Sequence, residues 1–366
     1  MSNSTWTSAK YNVADAPDIA SVDGGVEWAT ASIFVSVLGL LMSPLLSWAI
    51  YKKVKLQNTA NILIAIMSFT DFLNSIVGIA FFGASLYIGK YPYPSWGGKA
   101  VCHLQGTLYP FLAMTTFYIL GLLTYERYRA IVVNKHINQR KAIQSVVLVS
   151  VVLLFYSSLP WISQDKIGYN DLKANGSACY CGGGEGKFEQ DVILFINVSF
   201  FSITMMVMVY FYGKIYFHIK KIFTSVKSSR DEEEAGGGDK QKKKGTPKER
   251  KILYQFIVIT LFFIGCWAVL ATQWLLNSLG GMFIYEPHMD GWTGFGCHLN
   301  SALNPFIYGA MNKGLRNAMY DVLPEGLSHW LYQKTYGAPE KAKKERIAST
   351  SMVMTDDQSE ENEENE

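Results

Sequence analysis

The sequence predicts an all-α membrane protein, a bundle of seven transmembrane helices followed by a short amphipathic eighth helix. Apolar side chains make up 49% of the 366 residues and charged side chains only 17%. The charges cluster between and after long apolar runs, as is typical of a membrane protein with polar ends. Seven of these runs are long enough to cross about 30 Å of hydrocarbon. They lie at residues 28–51, 61–87, 102–126, 142–163, 190–216, 252–280 and 291–311.

Lysine and arginine side chains in the loops indicate the orientation of the bundle, because cytoplasmic loops are enriched in them. The most basic loops are residues 52–60, 127–141 and 217–251. We therefore expect a multi-pass protein of the cell membrane, with its N-terminus outside and its C-terminus inside. Asn3 begins an Asn-Ser-Thr glycosylation sequon, which suits an outer segment, although an unused sequon is the alternative.

Polar segments divide the chain into an outer N-terminus (1–27), a membrane domain (28–325) and a cytoplasmic tail (326–366). Within the third inner loop, about residues 226–246, an acidic block, a glycine run and a basic block cannot bury a core, so we expect disorder. The tail from about Gly337 is also expected to be disordered. The basic stretch of the loop is expected to face the lipid surface or a protein partner rather than nucleic acid.

Five cysteines are too few for a disulfide scaffold. Cys102, Cys179 and Cys181 lie on the expected outer side, where a disulfide can persist. Cys266 and Cys297 lie within predicted spans and are expected to be buried thiols.

A polar stripe in the last span is the most informative local pattern. Asn300, Asn304 and Tyr308 are spaced i, i+4, i+8 on one helix face, with Ser301 beside them. Pro305 removes one backbone donor and is expected to kink this helix. Polar groups at membrane depth are costly, so the stripe is expected to face the bundle interior.

This stripe, the following run 311–317 and the Glu126-Arg127-Tyr128 sequence at the inner end of span three resemble the rhodopsin-like (class A) G-protein-coupled receptors. The run 311–317 resembles opsins in particular, and the resemblance covers about residues 28–325. It implies that Glu126, Arg127 and Tyr128 engage a heterotrimeric G protein, with Glu249 as a second partner of the arginine. The further activation-switch residues that it implies are Tyr212, Asn304, Pro305 and Tyr308. A solvated interfacial charge cluster is the alternative reading of the inner motif.

The resemblance also implies a disulfide and regulatory partners. The Cys-x-Cys-Gly run resembles opsins, in which the second cysteine pairs with span three, so Cys102–Cys181 is expected, with Cys102–Cys179 as the alternative. The bridge would fix the second outer loop as a lid over a ligand cavity. The tail hydroxyls are candidate phosphorylation sites for a receptor kinase and arrestin; a merely solvating tail is the alternative. They are Ser349, Thr350, Ser351 and Thr355.

The expected cavity argues against a conventional photopigment. Trp267 resembles the aromatic switch beneath the ligand, but His298 stands where opsins carry the retinal-binding lysine. The opsin counterion positions hold Gln105 and Asn175, both neutral, so the amine and its counter-charge are missing together. We expect no covalent cofactor and no retinal Schiff base. The candidate ligand residues are Gln105, Gly106, Asn175, Trp267 and His298.

Asp71 lies near the middle of span two, and an intramembrane carboxylate is a functional hypothesis by default. With Thr116, Asn300, Ser301 and Asn304 it resembles the sodium pocket of ligand-gated class A receptors, a set of oxygens suited to a hard cation. A protonated or water-bonded Asp71 is the alternative.

The sequence therefore predicts a G-protein-coupled receptor that transmits an outer, diffusible-ligand signal to a heterotrimeric G protein. Three alternatives remain: a light sensor that holds retinal non-covalently, a retinal isomerase or carrier of the same fold, and a seven-helix ion pump or transporter. Transporters usually contain internal repeats, and the sequence shows none. It also shows no nucleotide-binding, metalloprotease or nucleophile motif, so an enzyme is not expected.

Overall fold

The computed structural model describes residues 25–53, 58–88, 98–159, 174–175, 178–179, 187–233, 258, 260–268, 272 and 287–337. Their helices are α1 (Gly25–Lys53), α2 (Thr59–Ile88), α3 (Gly98–Tyr128), α4 (Gln139–Ser157), α5 (Lys187–Glu233), α6 (260–268), α7 (Pro287–Met311), α8 (Lys313–Asp321) and α9 (Glu325–Tyr336). A two-stranded antiparallel hairpin, β1 (Ala174–Asn175) and β2 (Ala178–Cys179), lies between α4 and α5.

The first five helices coincide with the first five predicted spans. Within the described residues, five stretches are long and apolar enough to cross a membrane: Val26–Lys53, Thr59–Ala80, Thr107–Val133, Gln139–Ser157 and Phe195–Lys221. The predicted sixth span lies largely outside the described residues. The predicted seventh span is observed as α7, which contains Pro305 and the polar stripe.

The core lies between α1, α2, α3, α5, α6 and α7. α1 packs against α2 and α7, and α3 packs against α2, α4 and α5. One cluster of buried side chains connects these helices, from Met67 of α2 through Phe117 of α3 to Trp267 of α6 and Tyr308 of α7. Buried polar side chains of α2, α3 and α7 lie among these apolar ones, as predicted for a stripe that faces the bundle interior.

The predicted short amphipathic eighth helix is observed as α8. Asn312 caps it, because its side-chain Oδ1 accepts hydrogen bonds from the backbone N–H groups of Gly314 (3.0 Å) and Leu315 (3.2 Å). Leu315, Ala318 and Met319 are buried in the same core cluster as the C-terminal end of α1. α8 therefore continues the bundle rather than standing apart from it.

Two features differ from the sequence prediction. α5 continues to Glu233, beyond residue 216, where the predicted fifth span ends. Extending an existing helix costs far less than nucleating a new one, which explains how polar residues join it. The second difference is α9, a helix that was not predicted; it ends at Gly337, whose φ of 83° only glycine adopts readily.

Candidate functional site

An aromatic cluster lies at the centre of the bundle. The ring of Phe117 in α3 makes edge-to-face contacts with Phe201 of α5 (5.5 Å between centroids), Phe263 of α6 (5.1 Å) and Trp267 of α6 (4.6 Å). These separations fall in the range in which aromatic pairs are favourable. Trp267, the predicted switch residue, contacts Phe117 of α3 directly, and Phe117 in turn contacts Phe201 of α5, so a displacement of the Trp267 ring must also displace Phe117.

Two residues of the predicted carboxylate site, Asp71 and Asn304, are in direct contact. Asp71 is fully buried in α2, and the amide Nδ2 of Asn304 donates a hydrogen bond of 3.0 Å to its Oδ2. Ser301 lies beside the same carboxylate. Asn74, a residue that the sequence analysis did not single out, donates from Nδ2 to the Ser301 hydroxyl at 2.9 Å. The bonds join α2 to α7 inside the apolar core.

Two oxygen atoms of this polar set have no donor among the described side chains: Asp71 Oδ1 and Asn300 Oδ1. Both are buried acceptors, and such atoms are costly when they remain unpaired. A bound hard cation satisfies acceptor-only oxygens, so the set fits the predicted sodium pocket in its chemistry. Thr116 differs from the other candidates, because its hydroxyl shares a 3.2 Å hydrogen bond with Thr70.

A second polar group lies at the C-terminal end of α3. The Thr124 hydroxyl of α3 donates a 3.2 Å hydrogen bond to the Tyr212 hydroxyl of α5, and Thr260 of α6 hydrogen-bonds to the same side chain. Arg127 lies within electrostatic reach of Tyr212 and Tyr308. The structure thus brings three of the predicted switch residues, from α3, α5 and α7, close together; Tyr308 is buried, and Arg127 and Tyr212 are half-buried.

Both oxygens of the Glu126 carboxylate contact the loop that follows α3. It is fully buried, and its Oε1 contacts His136 Nδ1 at 2.7 Å while its Oε2 accepts a 2.8 Å hydrogen bond from the Ile137 N–H. The Thr59 hydroxyl of α2 donates to the Ile137 carbonyl at 2.8 Å. The loop can turn back because a short π-helical turn ends at Asn134, whose φ is 55°. His136 is a site residue that sequence reasoning missed.

His298 lies in the N-terminal half of α7 and is buried. Its ring lies 6.1 Å from that of Tyr109 in α3, in an edge-on arrangement. A methyl group at Gly78 of α2 would lie 2.8 Å from the imidazole Cε1 and Nδ1, so the absence of a side chain at residue 78 makes room for the ring. His298 therefore packs among α2, α3 and α7, where opsins are expected to hold their lysine.

Several predicted site residues lie outside the described side chains: Asn3, Cys102, Gln105, Gly106, Asn175, Cys181 and Glu249. The backbone of the β1–β2 hairpin, which includes Asn175, packs with β2 against α3 and β1 against α7. The predicted lid loop thus approaches the two helices that carry most of the candidate ligand residues. Cys266 and Cys297 are free thiols, and Cys297 is fully buried.

Comparison with known proteins identifies the class of molecule. Residues 44–308 match the family described as 7 transmembrane receptor (rhodopsin family). Because the match spans well over half of the chain, the protein belongs to this family and is a multi-pass membrane receptor.

Similar proteins agree with this assignment. A probable G-protein coupled receptor 45 of Mus musculus is 23% identical over 91% of this chain and 90% of its own length. A high-affinity lysophosphatidic acid receptor of Xenopus laevis is 23% identical over 81% of this chain and 82% of its own. The crystal structure of squid rhodopsin shares the fold, with a TM-score of 0.65, 17% identity and coverage of 91% and 93% of the two chains. The predicted seven-helix fold and the function as a G-protein-coupled receptor are confirmed.

Proposed function

We propose that this receptor responds to a diffusible ligand that enters from the outer face, and that no covalently bound retinal is involved. The carrying observation is that His298 packs among α2, α3 and α7. The resemblance to opsins implies the retinal-binding lysine at this sequence position. An imidazole forms no stable imine with an aldehyde, and the counterion positions are neutral in the sequence. A cavity without a fixed cation needs no counter-charge.

The signal passes inward through a series of side-chain contacts that runs from Trp267 to Arg127. Ligand binding under the second outer loop displaces Trp267, which moves Phe117 because their rings lie 4.6 Å apart. The Asp71–Asn304 hydrogen bond joins two other helices, α2 and α7, which share the buried core with α3 and α6. Repacking there reaches Tyr308, which lies within electrostatic reach of both Asp71 and Arg127. Arg127 then becomes available to the G protein.

The loop contact of Glu126 adds a restraint at the inner face. In an isolated Glu-Arg-Tyr motif the glutamate is expected to hold its neighbouring arginine. Here both carboxylate oxygens bond to the loop at His136 and Ile137. The restraint on Arg127 from this glutamate is therefore the electrostatic attraction of a buried charge, and Tyr212 and Tyr308 supply the neighbouring groups.

Three further features belong to the proposed function: the orientation of the receptor in the membrane, a bound sodium ion and the regulatory partners. Basic loops support a cytoplasmic position for the Glu126-Arg127-Tyr128 end and an outer N-terminus that is glycosylated at Asn3. The Asp71 set would hold a sodium ion through one carboxylate together with amide and hydroxyl oxygens. The tail hydroxyls beyond residue 348 are proposed substrates of a receptor kinase and, once phosphorylated, an arrestin-binding segment.

An absorption spectrum tests the ligand class. Purified receptor is incubated with 11-cis-retinal, and spectra are recorded in the dark and after illumination. We expect only the near-ultraviolet band of free retinal, because His298 offers no amine. A protein-dependent visible band that bleaches or shifts in light would overturn the diffusible-ligand proposal and favour a light sensor that holds retinal non-covalently.

A further inference from the structure

α9 is fixed to α8 through one of its faces. Tyr332 is buried, and its hydroxyl donates a hydrogen bond to Asp321 Oδ1 (3.0 Å) and lies 3.3 Å from the Asn317 carbonyl oxygen, a second acceptor. The Tyr336 hydroxyl donates to Asn317 Oδ1 at 2.6 Å and accepts from Arg316 Nη2 at 3.1 Å. These bonds give the two helices a defined arrangement, so the opposite face of α9 also has a defined direction.

The opposite face of α9 is apolar and exposed. Leu327 and Trp330 are 46% and 52% exposed, and Lys334 places its Nζ 5.0 Å from the Trp330 ring centroid. The spacing i, i+3, i+7 puts these three side chains on one side of the helix, away from Ser328 and Tyr332. A tryptophan beside leucine and lysine is typical of a helix at a membrane–water interface.

The position of α8 places α9 beside the membrane surface. α8 packs against α1, and its Leu315 and Met319 share a core cluster with the C-terminal end of α1. At that end Trp48 and Tyr51 are exposed, and Lys52 Nζ lies 4.9 Å and 5.6 Å from their ring centroids. Such aromatic and lysine groups mark the level of the lipid headgroups. Since α9 packs on α8, it lies about one helix diameter, ~10 Å, from that level.

We propose that the exposed face of α9 binds anionic lipid at the leaflet beside the C-terminal end of α1, with Leu327 and Trp330 among the upper acyl carbons and Lys334 at the headgroups. In the orientation proposed above this is the inner leaflet. The exposed Lys313 and Lys334 complement the charge of anionic lipids. α9 is thereby a second membrane-surface helix that ties the start of the tail to the bilayer.

Spin labelling of the full-length receptor tests this binding. Single labels are placed with Leu327→Cys and Trp330→Cys, and the matched control is His329→Cys, an exposed position on the other side of the same helix. Each receptor is reconstituted alone in a nanodisc, with or without anionic lipid. Collisions of the label with oxygen, which concentrates in lipid, are compared with collisions with a water-soluble nickel complex.

We expect a higher oxygen-to-nickel collision ratio at residues 327 and 330 than at 329, and a further rise in anionic discs. Equal ratios at all three positions would overturn the proposal and indicate that the exposed face of α9 binds a cytosolic protein instead. Protection that occurs only in discs holding two receptors would overturn it in favour of a second copy. Hydrogen exchange of residues 323–337 in the unmodified chain provides a measurement without mutation: exchange slower in anionic discs supports lipid binding, and identical exchange contradicts it. Neither measurement needs ligand or G protein, so the result is independent of the proposed function.

Discussion

Replacing Asp71 by asparagine tests whether the Asp71 carboxylate binds a cation or is instead a protonated carboxyl group. A cation that binds only the folded receptor stabilises it by about 1.4 kcal/mol at ten times its Kd and about 2.7 kcal/mol at a hundred times. The variant keeps an acceptor for the Asn304 amide but places a neutral NH₂ where the unpaired Oδ1 stands. We therefore expect Asp71→Asn to lose stabilisation by sodium and to be at least as stable as the wild type without it.

Thermal unfolding of purified receptor measures this effect. Midpoints are compared in sodium chloride and in choline chloride at equal ionic strength, so that general screening cancels. The matched control is Glu126→Gln, which removes a different fully buried carboxylate and leaves the α2–α7 site intact. Sodium is expected to raise the midpoints of the wild type and the control but not of Asp71→Asn. Equal wild-type midpoints in the two salts would refute the cation site.

Two further substitutions test the packing and the inner loop. A methyl group at Gly296 of α7 would lie 2.9 Å from a backbone carbonyl of α6, so Gly296→Ala is expected to destabilise the receptor by about 1–3 kcal/mol, measured as a lower unfolding midpoint. Gly265→Ala is its control, because a methyl group there meets nothing within 4 Å; an equal loss in both variants would contradict the close approach. His136→Ala removes the 2.7 Å contact to buried Glu126, at a cost of about 1–3 kcal/mol, and is expected to speed amide hydrogen exchange in residues 134–138. Lys135→Ala, an exposed neighbour, is expected to leave exchange unchanged; if both variants behave alike, the loop is not held by the carboxylate.

Hydropathy predicted the helices that cross the membrane because length and apolar content alone determine that property. It could not predict α9, whose buried face consists of Ser328 and two tyrosines that bond to α8 rather than an apolar run. The sequence does contain a local signal for α9: Pro324 precedes the helix and Gly337 follows it, and these residue types are common at helix starts and ends. The end of α5 was not predicted either, because the residues after 216 are polar and yet continue the helix.

The sequence predicted which residues belong to the candidate site but not which hydrogen-bond partner each of them has. The i, i+4, i+8 spacing placed Asn300, Asn304 and Tyr308 on one buried face, and all three are buried. Which oxygen meets which donor depends on the relative depth of α2, α3 and α7, and that is why Thr116 bonds to Thr70.

The partner of Glu126 could not be foreseen either. The loop returns to this carboxylate only because a π-helical turn and a left-handed Asn134 reverse its direction, and neither has a strong sequence signature. Sequence reasoning expected the partner to be the neighbouring arginine. The structure instead gives the two oxygens to His136 and to the Ile137 N–H.

The central claim is that Arg127, held among Tyr212, Tyr308 and Glu126, couples this receptor to a heterotrimeric G protein. The most direct test is guanine-nucleotide exchange on purified heterotrimers, with wild-type receptor, Arg127→Ala and Arg140→Ala at equal receptor abundance. Arg140 is exposed at the start of α4 and serves as the control. We expect the heterotrimer that responds to the wild type to respond equally to Arg140→Ala and to lose exchange with Arg127→Ala. Exchange by Arg127→Ala at the wild-type rate would contradict the account.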